Sequence, residues 1–134
     1  GEGFGLPLFE AACAALPVIA PKWSGHVDFL MAPVKEDGKE KLRNHFTGID
    51  FDLANVNKEA VWEGVIQPDS QWCFVKSSSV KDAMRTVFKN LPTPVAKAKK
   101  LQEYVLTQFS EEKQKQKFIQ VLNGKPDGSE IIVL

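Results

Sequence analysis

The chain opens with a glycine-rich turn that leads directly into a helix, and this feature restricts the fold most. Gly3 and Gly5 allow the backbone to approach a ligand and to adopt positive φ, and Pro7 suits the first helical position because its missing N–H would have no partner there. The N–H groups at the start of such a helix, with the positive end of its dipole, favour a phosphate. Glu10 would repel a nearby phosphate but suits hydroxyls beyond it, such as a ribose diol. Residues 1–10 therefore predict a clamp for a nucleoside diphosphate.

A dinucleotide-binding fingerprint is the main alternative interpretation of Gly1, Gly3 and Gly5. That fingerprint requires a preceding strand and a final glycine three residues further on. The sequence shows neither the strand before these glycines nor the final glycine after them, so it matches the fingerprint only weakly.

The first thirty residues resemble the donor-site signature of GT-B glycosyltransferases, specifically the large retaining family 4. The residues that carry the resemblance are Glu2 and Glu10 with seven residues between them, the small-residue helix at 11–15, Pro17-Val18-Ile19-Ala20, and Ser24-Gly25 followed by Asp28. Ser24 stands where the family often has glycine, and Asp28 where it often has glutamate. Both departures are mild.

The resemblance implies a role for each residue of the signature. Glu2 would lie near the transferred sugar and support the transition state. Gly3, Phe4 and Gly5 would offer backbone N–H groups to the sugar and diphosphate, the helix from Leu6 would stabilise the departing diphosphate, and Glu10 would bind the ribose hydroxyls. Such enzymes generally work without a bound metal or other cofactor. The resemblance thus implies transfer from a UDP-, GDP- or ADP-sugar to an acceptor hydroxyl with retained anomeric configuration.

The resemblance also implies an α/β fold in which a parallel sheet is flanked by helices. A GT-B enzyme has two Rossmann-like domains, and this chain begins within the donor loop. We therefore expect one partial donor-binding domain over 1–134, with a Rossmann-like half at 1–92 and a C-terminal helical segment at 93–134. We expect this fragment to be inactive alone, with millimolar to high-micromolar nucleotide affinity. The alternative is a non-catalytic module for nucleotide binding or self-association.

Composition restricts the partners. Of 134 residues, Lys and Arg together number 17 and Asp and Glu together 17, so the balance gives no support for a nucleic-acid partner. Cys13 and Cys73 have no metal-ligand spacing and are predicted to be buried free thiols in a reducing cytoplasm. An uncovered apolar face and an open sheet edge predict a homo-oligomer.

Apolar periodicity predicts the order of elements. The predicted elements of the first half are a helix at 6–16, a strand at 18–20, a turn at 21–25 with Ser24 capping a short helix to 30 or 31, a surface loop or frayed helix at 35–44, and a strand at 46–53. They are followed by short apolar runs at 61–66 and 71–75, by helices at 79–91, 95–109 and 111–122, the last capped by Ser110, and by an edge strand or a disordered segment at 131–134. Trp23, Trp62 and Trp72 are interpreted as packing residues, with a place in the lining of the cleft as the alternative for Trp23. His26 is interpreted as a helix-capping or turn residue.

Overall fold

The computed structural model describes residues 3–124; the expected strand at 131–134 lies outside them. The elements in chain order are α1 (Leu6–Cys13), β1 (Ile19–Pro21), α2 (Val27–Leu30), β2 (Met31–Glu36), β3 (Lys39–Asn44), β4 (Thr47–Ile49), β5 (Phe51–Asn55), a 3-10 turn (Lys58–Ala60), β6 (Gln71–Val75), α3 (Ser77–Lys89), α4 (Pro92–Gln108) and α5 (Glu111–Leu122). Within this part of the chain the strands form three two-stranded sheets.

The parallel pair of β1 and β4 defines the fold class. Ile19 lies opposite Thr47 and Pro21 opposite Ile49, and α3 packs against both strands. Parallel strands need a long crossover connection, which is supplied here by α2 and the β2–β3 hairpin. The predicted α/β class is confirmed, and the arrangement is consistent with a partial Rossmann-like domain.

The core joins the first helix to the fourth. Ala12 of α1 and Leu101 and Val105 of α4 are almost fully buried and belong to one cluster with Phe29 and Leu30 of α2. Ala12 lets the two helices approach closely because its side chain is small. The apolar stripe predicted for α4 is therefore confirmed at its centre, and it holds the N-terminal helix in place.

The first helix ends three residues earlier than its predicted end at Leu16. Ala15 adopts φ 54°, its N–H donates to the Ala12 carbonyl, and the Leu16 N–H donates to the Ala11 carbonyl. These two bonds are those of a Schellman motif, which satisfies the last carbonyls of a helix. The apolar periodicity predicted a longer helix because Leu16, which lies beyond this motif, still falls at helical spacing in the sequence.

The segment at 35–44 is a β-hairpin, so the predicted loop or frayed helix is wrong. β2 and β3 pair antiparallel across Asp37 and Gly38, whose φ angles are 52° and 75°. An Asp-Gly pair with positive φ at both positions is the turn that matches the twist of a two-residue hairpin. This dipeptide was the available signal, and the surrounding charge obscured it.

A second hairpin follows the parallel pair. The predicted strand at 46–53 is instead two strands, β4 and β5, separated by Asp50, and β5 pairs antiparallel with β6. The apolar run at 71–75 is β6 itself. The run at 61–66 is a turn closed by hydrogen bonds between Trp62 and Ile66.

The C-terminal helices lie close to their predicted positions. α3 begins two residues earlier than predicted, and α4 begins at Pro92, because proline is tolerated in a first helical turn. Ser110 caps α5 as predicted, since its hydroxyl accepts from the Lys113 N–H at 3.4 Å. The stripe predicted for α3 is only partly covered: Met84 and Phe88 are 59% and 86% exposed.

Candidate functional site

The glycine turn adopts a left-handed conformation immediately before α1. Gly5 has φ 84° and precedes the first helical residue, so Pro7 is the second helical residue rather than the first. The Leu8 and Phe9 N–H groups both donate to the Gly5 carbonyl, at 2.9 and 3.0 Å. These are the hydrogen bonds of the first helical turn, so neither N–H group is available to an anion. The backbone N–H groups of residues 3–5 and the dipole of this eight-residue helix remain the expected anion-binding features.

The Phe4 side chain fixes this turn to the core. Its ring lies 5.4 Å from that of Phe9 and 5.1 Å from that of Phe29, in tilted arrangements. Phe9 in turn contacts Phe109 edge-on at 5.5 Å. Aromatic pairs in such geometries contribute about 0.5–1.5 kcal/mol each beyond their buried area. The side chain of Phe4 therefore positions the glycine turn, a role that the resemblance did not indicate.

A second loop, residues 21–26, packs directly on the glycine turn. A Cβ added to Gly25 would lie 2.6 Å from the Gly3 carbonyl oxygen, and one added to Gly5 would lie 3.1 Å from the His26 Cβ. His26 Nε2 donates to the Pro21 carbonyl at 2.7 Å, which holds the loop in shape. Gly25 is thus a positioning residue that lets the two loops touch.

Ser24 contributes to this loop through its backbone. The predicted side-chain cap of α2 is wrong, because the Val27 N–H donates to the Ser24 carbonyl at 3.2 Å and α2 begins after His26. Ser24 has φ 74°, a region that favours glycine. Glycine, often found at this position in the family signature, would therefore adopt this backbone more easily.

Glu10 lies on the solvent face of α1. It is four residues after Leu6, so the two side chains share one side of the helix, and both are exposed. Burial and, to a smaller extent, the Glu10 carboxylate raise the pKa of the Cys13 thiol, which stands one turn further on. A raised pKa keeps this thiol protonated, so Cys13 is a poor nucleophile. The exposed carboxylate of Glu10 remains accessible to a ligand.

Cys13 and Cys73 are free thiols, as predicted, but they are half-buried rather than buried. Cys73 lies on β6, and burial raises its pKa as well. Neither is activated for nucleophilic chemistry.

A cleft opens between the second loop and β6. This "Trp23 cleft", of about 450 Å³, lies between residues 21–26 and 71–75, beside the carboxyl ends of the parallel strands, where open α/β sheets bind ligands. Trp23 and Trp72 line it and are 41% and 40% exposed. Trp23 thus lines the cleft, which was the alternative interpretation of it, while its ring also packs 6.1 Å from that of Phe51. The signal in the sequence was the position of Trp23 within the signature loop.

A basic groove also lies beside the carboxyl ends of the parallel strands. Lys22 and Lys76 line it together with Asn44 and Asp50. Lys76 Nζ lies 3.0 Å from Asp52 Oδ1, and the two side chains are 47% and 68% exposed. Such a pair is screened by solvent and is worth less than about 1 kcal/mol. The sequence did not indicate this groove, because its lysines are 54 residues apart in a chain of balanced charge.

The described residues bring together all the predicted substrate-binding positions: Gly3, Phe4, Gly5, Leu6 and Glu10 lie on one turn and the helix that it opens. Glu2 lies outside the described residues. Among residues 3–124, no three His, Cys, Asp or Glu side chains gather as metal ligands. Over the same residues, no helix has both the length and the apolar character that crossing a bilayer requires.

Comparison with known proteins agrees with the geometry at the level of the family. The family model described as "GT4-conflict: Family 4 Glycosyltransferase in conflict systems" matches residues 1–118, which is most of the chain. No curated protein and no solved structure matches. On the extent of the family match, the chain belongs to the family 4 glycosyltransferases of conflict systems.

Proposed function

We propose that the chain binds a nucleotide-activated sugar as the donor-side part of a retaining glycosyltransferase of the GT-B type. The observation that carries this proposal is the left-handed Gly5 placed directly before α1, with the exposed Glu10 one turn along the helix. A turn of this shape exposes backbone to a diphosphate, and the helix dipole favours negative charge there. The carboxylate accepts hydrogen bonds from the ribose hydroxyls.

The residues divide the donor between them in chain order. Glu2 stands at the transferred sugar, Gly3 to Gly5 at the diphosphate, and Glu10 at the ribose. In the parent enzyme, the dipole of α1 and the basic side chains near the phosphates stabilise the charge that develops as the diphosphate departs. The sugar moves to an acceptor hydroxyl with its anomeric configuration retained.

The chain alone binds the donor but does not transfer the sugar. The second half of the cleft, which holds the acceptor, belongs to another domain of the parent. Residues 1–134 form one partial donor-binding domain, with a Rossmann-like half at 1–92 and a helical segment at 93–134. Leu101 and Val105 support this unity because they share a core with Ala12. The two free thiols suit a reducing cytoplasm.

The same polypeptide forms a homo-oligomer through its uncovered apolar face. Phe88 is 86% exposed, and Met84 and Leu91 beside it are at least half-exposed. Contiguous apolar surface of this kind marks an interaction site. If donor binding fails the test below, self-association through this face is the remaining function, and the chain is a non-catalytic module.

The experiment that tests donor binding is ligand-observed NMR with UDP, GDP and ADP on the wild type and on Glu10→Gln. A charge-assisted hydrogen bond contributes about 1.5–3 kcal/mol, so the variant should bind the preferred nucleotide about ten- to a hundredfold more weakly. Glu103→Gln is the matched control, because Glu103 is an exposed helical glutamate on α4. The proposal fails if the folded wild type binds none of the three nucleotides, or if Glu10→Gln binds as well as Glu103→Gln.

A further inference from the structure

The Trp23 cleft has the size of a small-molecule site and an uncharged lining. Its volume of about 450 Å³ falls within the ~300–1,000 Å³ of typical ligand pockets. Among the described residues that line it, none carries a carboxylate, an ammonium or a guanidinium group. The imidazole of His26, which also lines the cleft, already donates from Nε2 to the Pro21 carbonyl, so a phosphate or carboxylate ligand would find no fixed counter-charge there. The cleft therefore suits a neutral ligand, in contrast to the basic groove of Lys22 and Lys76.

Both walls of the cleft carry an indole, and the β6 wall also carries an amide. Trp23 supplies an indole whose ring lies 6.1 Å from that of Phe51. Phe51 therefore packs against part of the indole, while 41% of Trp23 remains exposed. β6 supplies Trp72, a second indole, and Gln71, whose exposed amide both donates and accepts hydrogen bonds. An apolar ring face beside an amide matches a pyranose, which has apolar C–H groups on its face and hydroxyls around its rim.

Ser24 adds an independent observation. Its φ of 74° is costly for any residue with a Cβ, and glycine would adopt it without that cost. Residues held in such conformations cluster at functional sites. What serine adds over glycine here is a hydroxyl on a residue that lines the cleft, and a hydroxyl both donates and accepts hydrogen bonds with a sugar.

The position of the cleft distinguishes the sugar end of the donor from the base end. Gly25 touches the Gly3 carbonyl, and His26 packs against Gly5, so the cleft adjoins the turn proposed for the diphosphate. Glu10, proposed for the ribose, lies further along α1. The base lies beyond the ribose, away from this cleft, whereas a sugar lies on the near side of the diphosphate.

We infer that the Trp23 cleft is a binding site for a pyranose ring, which lies against Trp23 and hydrogen-bonds to Ser24 and Gln71. The identification of the ligand as a sugar rests on the proposed function, whereas the cleft itself does not. The ring belongs either to the donor sugar or to a sugar unit of the acceptor, and the two sources are separated below.

The test is saturation-transfer NMR with the methyl α-pyranosides of glucose, galactose and mannose, without nucleotide. We expect the ring protons of at least one glycoside to be saturated by the wild type. Trp23→Ala should weaken its binding about two- to tenfold, the range of one aromatic contact. Ser24→Gly, which relieves the backbone at this position, should fold at least as well as the wild type and still lose affinity.

Two matched controls belong to this test. Trp62→Ala removes an indole that is 67% exposed and lies outside the cleft. Asp37→Gly relieves a positive φ of 52° in the β2–β3 turn, as Ser24→Gly does in the cleft. Both should bind the glycoside as the wild type does.

The inference is overturned if the folded wild type saturates none of the glycosides, or if Trp23→Ala and Ser24→Gly bind as the controls do.

A second experiment, with UDP-glucose, distinguishes a donor sugar from a sugar unit of the acceptor. Loss of saturation at its hexose protons in Trp23→Ala identifies the donor sugar, and loss restricted to the free glycoside identifies an acceptor unit. Loss at its uracil protons instead would place the base in the cleft and refute the inference. Because the glycosides carry no nucleotide, their binding can be interpreted even if the Glu10→Gln test of donor binding fails.

Discussion

Replacing Gly25 by alanine should displace the glycine turn while leaving the fold intact. The added Cβ would lie 2.6 Å from the Gly3 carbonyl oxygen, whereas ordinary contact begins at 3.4 Å. The oxygen must therefore move by about 0.8 Å, the difference between these two distances, to reach ordinary contact. Binding groups must be held within about 0.5 Å of their productive geometry, so this displacement is sufficient to disturb a diphosphate site.

The cost to stability should be small because the turn has room to move. Gly3 is exposed, and a Cβ at Gly3 itself would meet nothing within 4 Å. Gly25 does not have the positive φ that would strain an alanine. The free energy of unfolding should therefore fall by less than about 1 kcal/mol, below the 1–3 kcal/mol of an overpacked core. Affinity for the preferred nucleotide should fall at least about tenfold, equal to about 1.4 kcal/mol.

The assay combines amide chemical shifts with nucleotide binding. Shifts of the Phe4 and Gly5 amides report the displacement even when no ligand is present. Gly48→Ala is the matched control, because Gly48 also lacks a positive φ and a Cβ there would meet nothing within 4 Å. Unchanged Phe4 and Gly5 shifts in Gly25→Ala, or equal changes in Gly48→Ala, would refute the reasoning from loop contact.

Two further predictions concern the core and the exposed face. Leu101→Ala should lower the free energy of unfolding by about 2–5 kcal/mol, since Leu101 is 1% exposed. Urea denaturation measures this change, with Leu106→Ala as the control because Leu106 is 55% exposed. An effect of Leu101→Ala no larger than that of Leu106→Ala would contradict the position of the core. Phe88→Glu should reduce self-association in sedimentation equilibrium, because it places a charge on the uncovered face of α3; a wild type that stays monomeric at high concentration would exclude that interface.

The sequence predicted those elements whose signals are local. The α4 stripe of Ala98, Leu101 and Val105 and the Ser110 cap of α5 are set by helical spacing and by one hydroxyl. Periodicity failed where a turn motif overrides it. Asp37-Gly38 produces a hairpin in a charged segment, and Ala15 ends α1 in a left-handed conformation that sequence patterns assign to glycine or asparagine.

The sequence predicted which contiguous residues form the candidate site, but not the contacts between segments that are distant in the chain. Gly3 to Glu10 were placed on a turn and a helix because they are contiguous. The contacts of Gly25 with Gly3, of His26 with Gly5, and of Trp23 with Phe51 join segments 21 to 28 residues apart. The first two contacts depend on how the chain returns from α1 into β1, and the third depends on how the crossover between β1 and β4 returns. Single-residue propensities carry no information on either. Position within the signature loop was the remaining clue.

Stability and ligand contact are assigned to different parts of this chain. The core rests on α1, α2 and α4, whereas the residues of the β5–β6 hairpin are half-buried or exposed throughout. Substitutions on such a surface usually change stability by less than about 0.5 kcal/mol, and loops and hairpins placed on a rigid scaffold commonly carry binding specificity. Gln71 and Cys73 on β6 face the Trp23 loop across the cleft. Changes on β6 can therefore alter which neutral ring the cleft accepts without loosening the glycine turn, which Phe4 anchors to the core independently of that hairpin.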